Sequence, residues 1–110
     1  MAVMDTAESR FAALVGHFAG RPGVAPPQPG RRRFGSAALT VDGSIFAMLQ
    51  ANRLVVKLPR ERVAALIADG TGQAFTAGKG RPMKEWVVVP DGDEATWQQL
   101  AEEALAFLQR

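Results

Sequence analysis

Three basic side chains crowd the stretch AGKGRPMKEWVVVP at residues 77–90: Lys79, Arg81 and Lys84. A second basic group, Arg31, Arg32 and Arg33, closes a proline-rich stretch further upstream. Cations at this density do one kind of chemistry readily, which is to hold phosphates or carboxylates. Arginine's planar fork meets such an oxyanion with two parallel hydrogen bonds, whereas lysine meets it as a point charge. The glycines around Lys79 invite a narrower reading, a phosphate loop, but the spacing rejects it. A P-loop has the form G-x-x-x-x-G-K-[ST], with a hydroxyl for magnesium after the lysine. Here five residues separate Gly72 from Gly78-Lys79, and Gly80 stands where the hydroxyl is needed. Gly70-Thr71-Gly72 does not extend to a dinucleotide fingerprint either, because Phe75 occupies the place of the third glycine. What remains is a cationic hairpin tip leading into a core strand. Arg31, Arg32, Arg33, Lys79, Arg81 and Lys84 are then the candidate contacts to a nucleic acid or an acidic partner. The plainer alternative is that both basic runs are solvated surface.

No comparable group points to catalysis. His17 is the single histidine, and it falls at the edge of an apolar stripe with no acid nearby in sequence to orient it. A boundary or surface position is expected for it rather than a general base. Ser9, Ser36 and Ser44 lack a nucleophile elbow of the form G-x-S-x-G. Glu102 and Glu103 are adjacent, so on a helix they point about 100° apart and do not form an acid/base pair. With no cysteine and one histidine the composition does not suit zinc. No catalytic residue, cofactor or metal is expected. Trp86 and Trp97 have rings that can stack on bases. Trp86 sits in a strand-period run with Val87 and Val89, however, and Trp97 lies on the apolar face of a helix, so core packing is expected of both.

The elements that must position these residues follow from hydrophobic period. Phe11, Leu14, Val15 and Phe18 recur at helical spacing, Asp5 and Glu8 suit a capping box, and Gly20 supplies a stop, which predicts a helix over 5–19. Residues 20–33 hold four prolines and read as a linker or edge loop. From Phe34 the period changes to two. Asp42-Gly43 tolerates the positive φ of a tight hairpin turn between two apolar runs. A second turn near Ala51-Asn52 leads to RLVVKLP, where Leu54, Val56 and Leu58 should face the core and Val55 and Lys57 face outward. Pro59 opens a middle helix that ends at Gly70, with Val63, Leu66 and Ile67 as its buried stripe. Residues 73–76 and 84–89 read as further strands. Asp93 is the expected cap of a last helix that buries Trp97, Leu100, Ala101, Ala104 and Leu108. These elements make one α+β domain over residues 1–110. Its antiparallel five-stranded sheet is packed by an N-terminal, a middle and a C-terminal helix, with residues 34–110 forming the sheet and two of the helices.

Composition sets the remaining bounds. At 110 residues and 47% hydrophobic content the chain is an ordinary globular domain. The absence of cysteine excludes disulfides, the N-terminus does not look like a signal peptide, and no apolar run reaches a bilayer's thickness, so a cytoplasmic protein is expected. The net charge of +2 is small but unevenly spread: residues 21–33 carry a local +4 and residues 91–110 a local −4. Such asymmetry favours a positive face.

A family pattern runs through these residues. Arg33-Phe34-Gly35, the Asp42-Gly43 turn, Phe46-Ala47-Met48, Lys57, the Gly72…Phe75 step and Lys84-Glu85-Trp86-Val87 resemble the N-terminal domain of TfoX-type proteins. The related MmcQ/YjbR-like domains share the FA…K…W pattern. The resemblance covers about residues 33–108. It implies a compact domain of helices on an antiparallel sheet, and no established catalytic site. TfoX-type proteins are associated with transcriptional regulation of competence, and the YjbR-like branch is described as DNA-binding. Ser36 departs from the second glycine that many TfoX-type domains have after Phe-Gly. The full-length regulators also carry a second, C-terminal domain, so competence regulation itself is not expected of these 110 residues.

The expected function is therefore that of a non-catalytic binding or regulatory domain whose basic face engages DNA or another polyanion. The alternative is a small-molecule-binding protein or cryptic enzyme with a pocket between the sheet and the N-terminal helix. Pairing of two copies through an exposed strand edge is compatible with either. No membrane partner is expected.

Overall fold

The computed structural model describes residues 7–25, 37–50, 53–76, 82–90 and 94–109. The elements run in the order α1 (Ala7–Phe18), β1 (Val24–Ala25), β2 (Ala37–Val41), β3 (Ser44–Gln50), β4 (Arg53–Lys57), α2 (Arg60–Ala68), β5 (Gln73–Thr76), β6 (Pro82–Val89) and α3 (Glu94–Leu108). The strands form a single six-stranded sheet in the order β1-β2-β3-β4-β6-β5, antiparallel at every junction. The class is the expected α+β; the strand count is six rather than five.

The extra strand lies inside the stretch that reads as a linker. Arg21, Pro22 and Gly23 turn the chain after α1, with Gly23 at a φ of +79°, and Val24-Ala25 then pair with Val41 and Thr40. Asp42 N donates to Gly23 O at 2.9 Å, which fixes this register. A two-residue strand leaves too short a pattern for period two to be read. The expected capping residues Asp5 and Asp93 lie outside the described residues.

The hairpin turn at Asp42-Gly43 is as expected, with φ of +50° and +86° at successive residues. One irregularity in this hairpin matters for the core. Leu39 pairs with Ala47 while Thr40 pairs with Ile45, so β3 carries one more residue than β2 at this point, and that residue is Phe46. The bulge lets adjacent Phe46 and Ala47 both join the core, although strict alternation would turn one of them away. Phe46 meets Phe18 of α1 edge-on at 5.3 Å between ring centroids.

Helices α1, α2 and α3 lie on one face of the sheet. Leu54, Val56, Leu58, Val87 and Val89 point to this face and form one buried cluster with Phe11, Leu14 and Phe18 of α1, Val63 and Leu66 of α2, and Trp97, Leu100, Ala101, Ala104 and Leu105 of α3. Leu108 packs against its margin. Ile67, expected in the α2 stripe, is instead 41% exposed. This helix packs on β6 and the edge strand β5, so only the side chains aimed squarely at the sheet, Val63 and Leu66, are covered. Among the described residues no helix is long and apolar enough to cross a membrane.

Alternation sends Arg53, Val55 and Lys57 of β4, and Trp86 and Val88 of β6, to the other face, where none of these helices packs. Val55 faces away from the helices as expected but is not a solvent-facing residue, being 1% exposed beside its cross-strand partner Val88 at 4%. Trp86 departs from its expected core position. It is half-buried on this helix-free face, one residue out of phase with the core valines Val87 and Val89. Trp97 is in the core, 0% exposed.

Candidate functional site

Lys57 and Trp86 are directly opposite one another on β4 and β6. The lysine Nζ stands 5.7 Å from the centroid of the indole, within the range of a cation–π contact. Phe75 of β5 approaches the same indole from another side, with centroids 6.3 Å apart and the rings tilted at 51°. Lys84, two positions before Trp86 on β6, is exposed. The ladder continues one step past β4, because Leu58 N donates to Glu85 O at 3.0 Å. That step brings Pro59 and the first turn of α2, Arg60 and Glu61, alongside β6. These three residues line a groove of about 600 Å³ together with Lys57, Lys84 and Trp86 and with Met83, Glu85 and Phe107.

The charge of this groove is mixed: Lys57, Arg60 and Lys84 against Glu61 and Glu85. The face as a whole is less balanced. Glu85 is the one carboxylate among the described strand residues, and it is paired with Leu58, whose side chain is in the core on the helix-bearing side. Arg53 and Lys57 therefore look out from the helix-free face with no strand carboxylate beside them among the described residues.

Of the three carboxylates of α3, Glu94 accepts from Gln98 Nε2 at 3.3 Å, and Glu102 and Glu103 are ion-paired. Arg21, just after α1, donates from Nη1 to Glu102 Oε1 at 3.1 Å and from Nη2 to Oε2. His17 Nε2 lies 2.8 Å from the same Oε2. Hydrogen bonds from Arg21 and, less strongly, His17 hold the Glu102 carboxyl below its ordinary range, and the Glu102 hydrogen bond raises the Arg21 guanidinium in return. Arg62 of α2 donates to both oxygens of Glu103, at 2.8 and 3.2 Å, which raises its own pKa. The two adjacent glutamates thus serve separate neighbours, one tying α3 to the end of α1 and one tying it to α2. His17 does have an acid partner, 85 residues away in sequence. Among the described residues no group of three or more His, Asp or Glu could hold a metal ion.

Of the basic residues singled out from sequence, Lys84 is placed, exposed and lining the groove. Arg31, Arg32, Arg33, Lys79 and Arg81 lie outside the described residues. The sequence reading missed the association of Lys57, Arg60, Phe75 and Phe107 with Trp86. For Lys57 a signal existed, since its outward position on β4 is legible from alternation. For Phe107 there was none, because its place depends on how the end of α3 lies against the sheet.

The space beneath α1 is filled by Phe11, Leu14 and Phe18, all buried. A second, more apolar cavity of about 250 Å³ lies between α2 and β6 and is lined by Val63, Ala64, Ile67, Ala74 and Met83 with Arg60 and Lys84. Neither of these two cavities borders α1.

A family model described as the TfoX N-terminal domain matches residues 25–108. The match begins at the last residue of β1 and runs to the end of α3, so it takes in every residue lining the groove. No curated protein and no solved structure matches the chain.

Proposed function

The chain belongs to the TfoX N-terminal domain family, and on that footing we propose that it is a non-catalytic binding domain that engages the phosphates of a nucleic acid through the basic face of its sheet. The observation that carries this reading is the gathering of Lys57, Arg60 and Lys84 around a half-buried tryptophan at one end of a sheet whose outward strand charges are basic. Lysine and arginine on a rigid strand framework fix a polyanion's register without any chemistry on it. Two carboxylates of α3, Glu102 and Glu103, are paired with Arg21 and Arg62 and do not line the groove. A small-molecule reading would use this same groove rather than the filled space beneath α1.

Phosphate-driven binding weakens with salt because condensed counterions are released. A gel-shift series with single- and double-stranded DNA and RNA tests the reading. If about six phosphates are contacted, affinity should fall by roughly 10³-fold between about 50 and 200 mM salt. Absence of binding to all four ligands at low salt would remove this function.

A further inference from the structure

We infer that the groove at Trp86 takes an unpaired nucleotide, its base laid against the indole and its phosphates on Lys57, Arg60 and Lys84, so that the preferred ligand is single-stranded; this rests on the phosphate-binding reading above. Size comes first. The groove is open, and its volume of about 600 Å³ exceeds what a lone phosphate needs.

The mixture of charges then selects the form of the ligand. Glu61 and Glu85 stand among the three cations. A duplex offers a shallow groove mainly its phosphates, and these would meet the two carboxylates as well as the cations. An unpaired base has what the duplex conceals: exocyclic amino and ring N–H donors on its pairing edge, which carboxylates accept, as glutamate accepts from cytosine. The carboxylates are unfavourable in the first complex and useful in the second.

The aromatic surface agrees. Trp86 is half-buried on the face that no described helix covers, and Phe107 lines the same groove from α3. Lys57 rests over the indole in the free domain. Its four-carbon stem is flexible enough for the ammonium to move to a phosphate as a base takes the ring face. Stacking on an exposed aromatic ring tolerates any base, so little sequence preference accompanies it beyond a bias toward bases with an amino group.

Fluorescence anisotropy at low salt with three labelled ligands of equal length tests the inference: a mixed-sequence single strand, the same backbone without bases, and a duplex. The single strand should bind roughly tenfold or more tightly than the abasic backbone. Its binding should quench emission from Trp86, while Trp97, 0% exposed in the core, stays unaffected. W86A should remove the tenfold margin of the single strand over the abasic backbone, and W86F should keep most of it. Equal affinity for the abasic backbone, tighter binding of the duplex, or a margin that survives in W86A would overturn the inference while leaving phosphate binding in place. Failure of all three ligands to bind would overturn both. If W86A does not fold, the abasic comparison on the unaltered protein and the W86F variant decide the matter.

Discussion

Lys57 and Trp86 face each other across the β4–β6 ladder, with the ammonium 5.7 Å from the indole centroid, on the side of the sheet that carries no described helix. Neither residue belongs to the core cluster of the other face, where Val56 and Val87 are the neighbouring cross-strand pair. A lysine on tryptophan at an exposed sheet end contributes about 0.5–1 kcal/mol at most. The cation–π contact itself therefore adds little to stability.

Removal of the two strand cations should be felt in binding and not in folding. K57Q/K84Q should weaken binding to a single-stranded oligonucleotide and flatten the plot of log affinity against log salt by about 0.7 for each phosphate no longer neutralised. Urea midpoints should stay within the range of surface substitutions, about 0.5 kcal/mol. Salt titrations by anisotropy read the first effect, and an unchanged slope would take both lysines out of the interface.

The junction of α1 and α3 should make stability sensitive to acid. Hydrogen bonds from Arg21 and His17 lower the Glu102 pKa in the folded chain relative to its ordinary value of 4.5. A depressed carboxyl contributes stability that is present above the unfolded pKa and is lost as pH falls through the folded one. The melting temperature should thus decline as pH drops below about 5, and part of that decline should be missing in E102Q. The effect should be small, because Glu102 and Arg21 are each 38% exposed and water screens them. Thermal melts of both proteins across the acid range check it; parallel curves would mean that the ion pair contributes nothing.

Two adjacent residues of α2 should answer very differently to truncation. Leu66 is 3% exposed within the core cluster, whereas Ile67 is 41% exposed. L66A should cost roughly 2–5 kcal/mol through the forfeited transfer energy and a residual cavity, and I67A about 0.5 kcal/mol or less. Urea denaturation of the two variants measures the contrast, and similar losses would place Ile67 in the core after all.

The same pair of residues shows where sequence reasoning succeeds and where it stops. Helix and strand types other than β1, the Asp42-Gly43 turn and most of the stripes of α1 and α3 were legible, because each depends on local period or on a backbone angle that few residues adopt. The breadth of a buried stripe was not legible, since it depends on how much sheet lies beneath the helix; α2 sits near the sheet's edge, and Ile67 overhangs it. Phe46 was unreadable for a related reason: a bulge changes the phase of a strand without changing its composition. Lys84, which borders the groove, was singled out because charge clusters in sequence. Its groove partners were not, for Lys57 reaches it only through pairing of β4 with β6 across the whole of α2 and β5.

Residue 72 sits where β5 and β6 come close together. Gly72 enters β5 beneath α2, and a Cβ built there would run into Val87 Cγ2 and come within 3.4 Å of Leu66 Cβ. Its backbone N also donates to Leu66 O at 3.0 Å, so the chain cannot back away without breaking that bond. G72A should therefore destabilise the domain by overpacking, by roughly 1–3 kcal/mol, even though alanine is otherwise well tolerated. Because the obstruction is one methyl group of Val87, V87A should make room for the new Cβ. The double variant G72A/V87A should then lose less than the sum of the two single losses, with a coupling of about 0.5 kcal/mol or more. A double-mutant cycle by urea denaturation measures this directly. Strict additivity would show that the approach of Val87 is not what excludes a Cβ at residue 72.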